Sequence, residues 1–368
     1  MHLPANQNLN IRQRRMAKQI NGIQQLGVGV TNIQEAFAWY RRHFGMDIKM
    51  FEEAAMAELM LPHTEGEPRE RHAILALNLQ GGGGFEIWQH TGKKPENPRF
   101  KLQLGDLGIF IGKLKSPDIK KTYEQFKAWN LELLTGIVDD PVGNKHFYLK
   151  DLYGNIWEVV YDSFVFKKQK SINGGVFGVV IGVRDIEESI HIYQQVLGYD
   201  VIVFDKTAVF DDLKGIPGGE SRVRRVLLKH SAVRNGAFSP MFGPTRIELV
   251  QVLDRTPHDI FEGRLWGDPG FIHLCFDIDG MDDLREEVKE MGFPFTVDSA
   301  MEMDTFDMGE AAGSFSYIQA PEGTLIEFVE THKIPLVKKL GWFLDLTKRK
   351  AGPLPRWMFS LFSIMRVK

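Results

Sequence analysis

An internal repeat constrains the fold of this chain more than any other feature of its sequence. Residues 25–45 (QLGVGVTNIQEAFAWYRRHFG) align without a gap on residues 178–198 (GVVIGVRDIEESIHIYQQVLG). In both copies an apolar run ends at an Asn or Asp, which is typical of a helix N-cap. Apolar residues then recur at helical spacing until Gly45 or Gly198, where a left-handed glycine commonly ends a helix. Each copy therefore predicts a strand, a helix and a glycine stop.

A second repeat extends this pattern to four units. Residues 147–160 (FYLKDLYGNIWEVV) match residues 316–329 (SYIQAPEGTLIEFV), and each segment predicts a β-hairpin with a glycine turn. A shorter strand–helix unit precedes each hairpin, beginning at Asp106 and at His273. The sequence thus predicts two tandem halves of two modules each. The predicted boundaries are an N-terminal arm (1–21), a first domain (22–163), a linker (164–175), a second domain (176–332) and a C-terminal tail (333–368).

The composition of the chain restricts the binding partners and the cellular compartment that can be expected. Lys and Arg total 45 against 48 for Asp and Glu, a net charge of −3, so no global positive field favours nucleic acid. No apolar run reaches the roughly 18 residues of a membrane-spanning helix. Cys275 is the only cysteine, which excludes an intrachain disulfide and a cysteine-based zinc site. A reducing, cytoplasmic setting is predicted.

Paired strand–helix–hairpin units resemble the vicinal oxygen chelate superfamily, which includes glyoxalase I, extradiol dioxygenases and bleomycin resistance proteins. The resemblance covers residues 22–332 and implies an α+β fold of two tandem half-open β-barrels, each made from paired βαβββ modules. It also implies a metal-dependent lyase or isomerase of glyoxalase type. Such an enzyme acts on a small oxygen-chelating substrate, and the metal stabilises a developing enolate.

The resemblance also implies two sets of metal ligands, one in each half. The first set consists of oxygen donors, which suit Mg²⁺, Mn²⁺ or Ca²⁺: Gln25, Glu86, Asp106 and Glu158. The second set adds an imidazole, which suits Zn²⁺, Ni²⁺, Co²⁺, Mn²⁺ or Fe²⁺, and Gly178 stands at its vacant fourth position: Glu248, His273 and Glu327. Glu327 is the implied catalytic base of the second half, and Glu158 is its counterpart in the first.

The residues themselves support an unusual environment at these positions. Each of the four glutamates interrupts an apolar strand run, and an inward carboxylate is costly unless it is paired or bound to a cation. The alternative is that each glutamate faces solvent, but four matching positions favour a shared polar cavity. For His273 the alternative is a hydrogen-bonded core histidine. Within a predicted long loop (205–245), Arg222, Arg224 and Arg225 alternate with valines and form either a solvated strand face or a site for an anionic substrate.

Two other functions and two interpretations of the tail stay open. One alternative is a ring-cleaving dioxygenase, and the other is a non-catalytic protein that sequesters an apolar or aromatic compound. In the tail, basic residues alternate with aromatic ones, which fits either packing on the barrels or on a second subunit of a homodimer, or a membrane interface. Packing is the favoured prediction.

Overall fold

The structure is a computed structural model, and it describes residues 18–302, 306–307, 312–337, 342–347, 349 and 352–368. Most of the predicted N-terminal arm (1–21) and parts of the predicted tail lie outside the described residues. None of the described helices combines the length and the apolar character needed to cross a bilayer.

The chain folds into four βαβββ modules followed by a tail. Module 1 contains β1 (Gln19–Gly29), α1 (Ile33–Phe44), β2 (Ile48–Ala57), β3 (Arg69–Leu77) and β4 (Gly84–His90). Module 2 contains β5 (Gly108–Ser116), α2 (Ile119–Ala128), β6 (Val138–Asp139), β7 (Lys145–Lys150) and β8 (Ile156–Tyr161). Module 3 contains β9 (Val176–Gly182), α3 (Ile186–His191), β10 (Val201–Ala208), β11 (Val223–Lys229), α4 (Ser239–Phe242) and β12 (Arg246–Val252). Module 4 contains β13 (Gly270–Asp279), α5 (Met281–Glu290), β14 (Val297–Asp298), α6 (Ser299–Glu302), β15 (Phe306–Asp307), β16 (Ala312–Gln319) and β17 (Leu325–Val337). The tail adds β18 (Trp342–Asp345) and α7 (Arg356–Leu361).

The repeated helices begin and end as the sequence predicts. The Asn32 side chain caps α1 by accepting from the Glu35 amide, and the Asp185 side chain caps α3 by accepting from the Glu187 amide. Gly45 ends α1 in the left-handed region with φ 68°. A π-helical turn (192–196) follows α3 and brings the chain to Gly198, with φ 70°.

The four modules form two curled sheets, but each sheet joins modules from different halves. The outer-module sheet combines modules 1 and 4 in the order β14-β16-β17-β13-β1-β4-β3-β2, and β15 and β18 pair beside this path. The inner-module sheet combines modules 2 and 3 in the order β10-β11-β12-β9-β5-β8-β7-β6. At the centre of each sheet, the first strands of the two modules pair antiparallel, β1 with β13 and β5 with β9.

This pairing corrects the prediction of one cavity for each half of the sequence. The repeat gives every module a similar first-strand edge, so local sequence does not select a partner. Side chains that meet across the central strands distinguish the pairs, and these contacts are long-range in sequence.

The main core lies between the sheets and the helices that pack on them. Trp157 of β8 stacks against Phe85 of β4 with ring centroids 4.8 Å apart, so the two sheets share one core. On β1, β13 and β17 the core residues Leu26, Leu274 and Ile326 alternate with the polar residues considered below. Because side chains alternate across a strand, those polar residues lie on the opposite face, inside the curl of the sheet.

Two further predictions are settled by the described elements. The predicted long loop (205–245) is wrong in part, because β10 ends within it and β11 crosses it. In the tail, Phe359 and Phe362 are buried against Phe166, Phe238 and the outer-module sheet, as the packing interpretation predicts. Trp357 is 63% exposed, so packing does not extend to every aromatic residue of the tail.

Candidate metal centre

Four strands at the centre of the outer-module sheet bring together one imidazole, two carboxylates and one amide. They come from β1, β4, β13 and β17: Gln25, Glu86, His273 and Glu327. The His273 Nε2 lies 3.1 Å from the Glu86 Oε2 and 3.2 Å from the Glu327 Oε2. The Gln25 Nε2 donates to the same two oxygens, each at 3.3 Å. The site therefore combines two ligands predicted in the first half with two predicted in the second.

A glycine on the neighbouring strand makes room for the imidazole. Gly27 of β1 pairs with His273 of β13, and a Cβ at position 27 would lie 2.5 Å from the His273 Cε1. The ring also lies near the aromatic rings of Trp266 and Tyr317, with centroids 6.1 Å and 5.7 Å away. These contacts fix the ring orientation. Trp266 was not predicted, because no repeat or strand pattern marks its position.

Burial and charge shift the protonation of this cluster in opposite directions. Burial alone would lower the pKa of His273, but the carboxylates of Glu327 and Glu86 outweigh it and raise the pKa. Burial raises the pKa of Glu327, an effect that exceeds the opposing effect of His273. Two carboxylates in one buried site therefore require a positive partner, which is either a proton on the imidazole or a cation.

The donor set fits a divalent cation. One donor atom each from Glu86, His273 and Glu327 lies within 4.8 Å of the others, the one such group of three among the described residues. The Gln25 Oε1 is buried and has no hydrogen-bond partner within the described part of the chain, so a fourth oxygen donor is free. One nitrogen with several oxygens suits Zn²⁺, Ni²⁺, Co²⁺, Mn²⁺ or Fe²⁺.

An apolar cavity of about 220 Å³ adjoins this cluster. Gln25, Glu86 and Glu327 form its polar end. Much of the remaining wall is aromatic or methionine: Phe51, Met56, Met60, Trp88, Trp266 and Tyr317. Arg71 also lines the cavity, but its guanidinium donates to Glu53 at 2.7 Å. Phe242 of α4 and Phe362 of the tail also line the cavity.

The remaining predicted ligands do not join this site. Glu158 and Glu248 lie in the inner-module sheet, where the Lys113 ammonium donates to both carboxylates. Glu158 also lies 2.8 Å from the His146 Nδ1, and Glu248 accepts from Arg225 at 2.6 Å. Burial would raise the pKa of Glu158, but Lys113 and His146 outweigh it and lower the pKa. The predicted grouping of Glu158 with Gln25 and Glu86, and of Glu248 with His273, is therefore wrong.

Asp106 is also outside both clusters. Its carboxylate accepts from Arg255 at 2.6 Å and from the backbone amides of Gln103 and His258. In β5 the residue equivalent to His273 is Ile111. His273 pairs with Gly27, Ile111 pairs with Val180, and the sequence repeat aligns Gly27 with Val180. The alignment of Asp106 with His273 is therefore wrong at this strand. The Asp106 side chain instead holds a loop in place.

The residue missed by sequence reasoning is Lys113. It interrupts the apolar strand GIFIGKLKS in the same way that the glutamates interrupt theirs, so the signal was present. The sequence predicts Arg225 on a solvated strand face or at an anion site, and it does lie on a strand, β11. It is instead buried, and it pairs with Asp212 and Glu248.

The fold consists of two curled sheets, each built from paired βαβββ modules, and one sheet carries a convergent cluster of one histidine, two glutamates and one glutamine. These features define the class of half-open β-barrel proteins built from paired modules. Models of the Glyoxalase/Bleomycin resistance protein/Dioxygenase superfamily match residues 22–159 and 178–307. The chain belongs to this superfamily. No curated protein matches it.

Similar solved structures confirm the fold. A mutant form of glyoxalase I from Zea mays has a TM-score of 0.53 and 13% identity, covering 85% of this chain and 92% of that one. A second mutant form of the same enzyme, in another crystal form, has a TM-score of 0.54 and 12% identity, covering 85% and 94%. A protein from Bacillus subtilis, described as a candidate dioxygenase, has a TM-score of 0.54 and 13% identity, covering 85% and 86%.

Proposed function

We propose that this chain is a metal-dependent lyase or isomerase of glyoxalase type, with one active centre in the outer-module sheet. The observation that carries this proposal is the convergence of Glu86, His273 and Glu327 beside the Gln25 amide, whose oxygen has no hydrogen-bond partner in the described part of the chain. These four residues would hold the metal ion. When bound, the metal supplies Lewis-acid stabilisation of negative charge on two neighbouring substrate oxygens.

Glu327 is the proposed general base. Its carboxylate lies at the polar end of the cavity, within reach of a substrate bound there. Tyr317 and Cys275 lie beside the Glu327 carboxylate, and Tyr317 also lines the cavity. In this role Glu327 takes a proton from the carbon next to a substrate carbonyl and returns it at the neighbouring position. Glu158 is not retained as a base, because the Lys113 ammonium neutralises its carboxylate.

The cavity supports a substrate with an apolar body. A cavity of roughly 150 Å³ lined by aliphatic and aromatic side chains can hold benzene, and this cavity is larger, at about 220 Å³. The same lining favours the second candidate function, sequestration of an apolar compound without chemistry. A dioxygenase is disfavoured, because the usual iron triad needs two histidines and this cluster holds His273 alone.

The proposal predicts different losses for two variants. We expect His273→Ala to lower the bound divalent metal sharply, because it removes the nitrogen donor. Glu327→Gln should retain more metal but lose proton transfer by at least about 100-fold, since an amide is not a base near neutral pH. Elemental analysis measures the first effect. NMR detection of deuterium exchange at the carbon next to the carbonyl in small α-hydroxy ketones measures the second.

His43→Ala is the matched control, because His43 is a buried histidine on α1 that packs against Trp39 and Trp129. Its metal content should equal that of the wild type. Equal metal content in His273→Ala would overturn the proposed centre. A metal-free wild type that binds the neutral probe N-phenyl-1-naphthylamine would favour sequestration.

A further inference from the structure

The inner-module sheet repeats half of the candidate metal centre. In the outer-module sheet, Glu86 of β4 pairs with Gly27 of β1. In the inner-module sheet, Glu248 of β12 pairs with Val180 of β9, and the sequence repeat aligns Val180 with Gly27. Glu158 pairs with Lys113 as Glu327 pairs with Cys275. The two carboxylates of the metal centre therefore recur at equivalent strand positions in the inner-module sheet.

The other two positions differ in a way that removes donors and adds a cation. Gly178 of β9 occupies the position that Gln25 has in β1. Gln25 pairs with Cys275 of β13, and Gly178 pairs in the same way with Lys113 of β5. Ile111 stands at the position of His273. Lys113 takes the place of the uncharged Cys275, and its side chain is only 4% exposed.

The ammonium of Lys113 lies between the two carboxylates. Its Nζ donates to the Oε2 of Glu248 at 2.7 Å and also to the Oε2 of Glu158. The other oxygen of Glu248 accepts from Arg225, and the other oxygen of Glu158 faces His146. The two oxygens that accept from Lys113 are thus the ones that Arg225 and His146 do not contact.

We propose that the inner-module sheet holds a latent divalent-cation site, which the ammonium of Lys113 occupies in place of a metal ion. Two buried carboxylates need a positive partner, and the chain supplies it covalently. The wild-type inner site therefore binds no metal. Removal of the ammonium leaves two convergent carboxylate oxygens, which are the ligands that a hard cation such as Mn²⁺ prefers.

The test compares Mn²⁺ binding and thermal unfolding of the wild type with those of Lys113→Met. We expect the variant to bind one more Mn²⁺ per chain than the wild type. We also expect excess Mn²⁺ to raise the Tm of the variant by more than it raises that of the wild type, because a ligand that binds only the folded state stabilises it. Lys113→Arg, which keeps the charge, is the matched control and should gain no metal.

This expectation does not depend on the proposed function. It concerns the difference between variant and wild type, so it holds whether or not the outer-module centre binds metal. Equal Mn²⁺ binding by folded Lys113→Met and wild type would overturn the inference. If Lys113→Met is unfolded even in Mn²⁺ while Lys113→Met/Glu158→Gln folds, then the metal does not replace the ammonium, and the inference is equally wrong.

Discussion

Asp277 of β13 is a buried acid that lies among amide side chains and other acids. The Asn21 Nδ2 donates to it at 3.0 Å, and Asp279 and Glu330 lie near enough to repel its charge. Burial is the largest of the effects that raise the pKa of Asp277 well above its ordinary value. The folded chain therefore binds this proton more tightly than the unfolded chain does.

This shift gives the stability a defined dependence on pH. The contribution of Asp277 is present below the ordinary pKa of an aspartate and is lost as pH rises through the raised folded-state value. We expect Asp277→Asn, which keeps the shape and can still accept from Asn21, to gain Tm relative to the wild type as pH rises. Thermal unfolding between about pH 4 and about pH 9 checks this. Asp139→Asn, at an exposed position, is the control, and a Tm difference for Asp277→Asn that is independent of pH would contradict the prediction.

At the scale of elements, the ends of the repeated helices are set by single residues with clear physical reasons. Gly45 combines a left-handed φ of 68° with close neighbours, since a Cβ there would lie 2.4 Å from the Ser171 Oγ. Gly66 has a similar φ of 77°, but a Cβ there would meet nothing within 4 Å. Substitution of Gly66 by alanine therefore tests only the free-energy cost of the left-handed backbone, whereas substitution of Gly45 adds the cost of a steric clash.

We expect Gly45→Ala to lower the free energy of unfolding more than Gly66→Ala. Gly66→Ala should lose about 1 kcal/mol, because an L-residue in the left-handed region costs about that much. Gly45→Ala should lose this amount and a further contribution, since Ser171 and Asn78 must move. Denaturant unfolding of both variants measures the difference, and equal losses would show that the clash at Gly45 relaxes freely.

Strands, helices and glycine stops followed from the sequence because they depend on local periodicity and capping. The resemblance to the vicinal oxygen chelate superfamily implied Gln25, Glu86, His273 and Glu327 individually as candidate ligands, and the two glutamates also interrupt apolar strands. Their grouping was not found. It depends on which first strands pair, and β1 pairs with β13 across about two thirds of the chain. Similar repeats offer the same edge in every module, so the choice of partner is made by tertiary contacts.

At the scale of the whole molecule, the tail belongs to the packed structure. Phe359 of α7 is 1% exposed and lies against Phe166, Phe238 and Phe362. The Val367 amide donates to the Asp47 carbonyl at 2.8 Å, and Arg366 pairs with the Asp47 carboxylate. The end of the chain therefore covers the edge of the outer-module sheet next to the cavity.

Two substitutions on the same helix test this covering. We expect Phe359→Ser to lower the free energy of unfolding by about 3 kcal/mol or more, as for other large-to-small changes in a core. Trp357→Ser, at a position that is 63% exposed, should change it by less than about 0.5 kcal/mol. Denaturant unfolding measures both values. Similar small losses for the two variants would mean that α7 does not stabilise the fold.

The exchange of partners between the modules also determines the order in which the molecule can be assembled. The inner-module sheet uses one continuous stretch of chain, from β5 to β12, so it can form as soon as the ribosome has released that stretch. The outer-module sheet cannot close before β17 has been synthesised. The pairing partner of β1 is β13, and β13 in turn pairs with β17. Such pairings have high contact order and form slowly. Until then, the strands of module 1 are already synthesised but keep an open edge, which can pair with other chains and makes aggregation the main hazard of this stage.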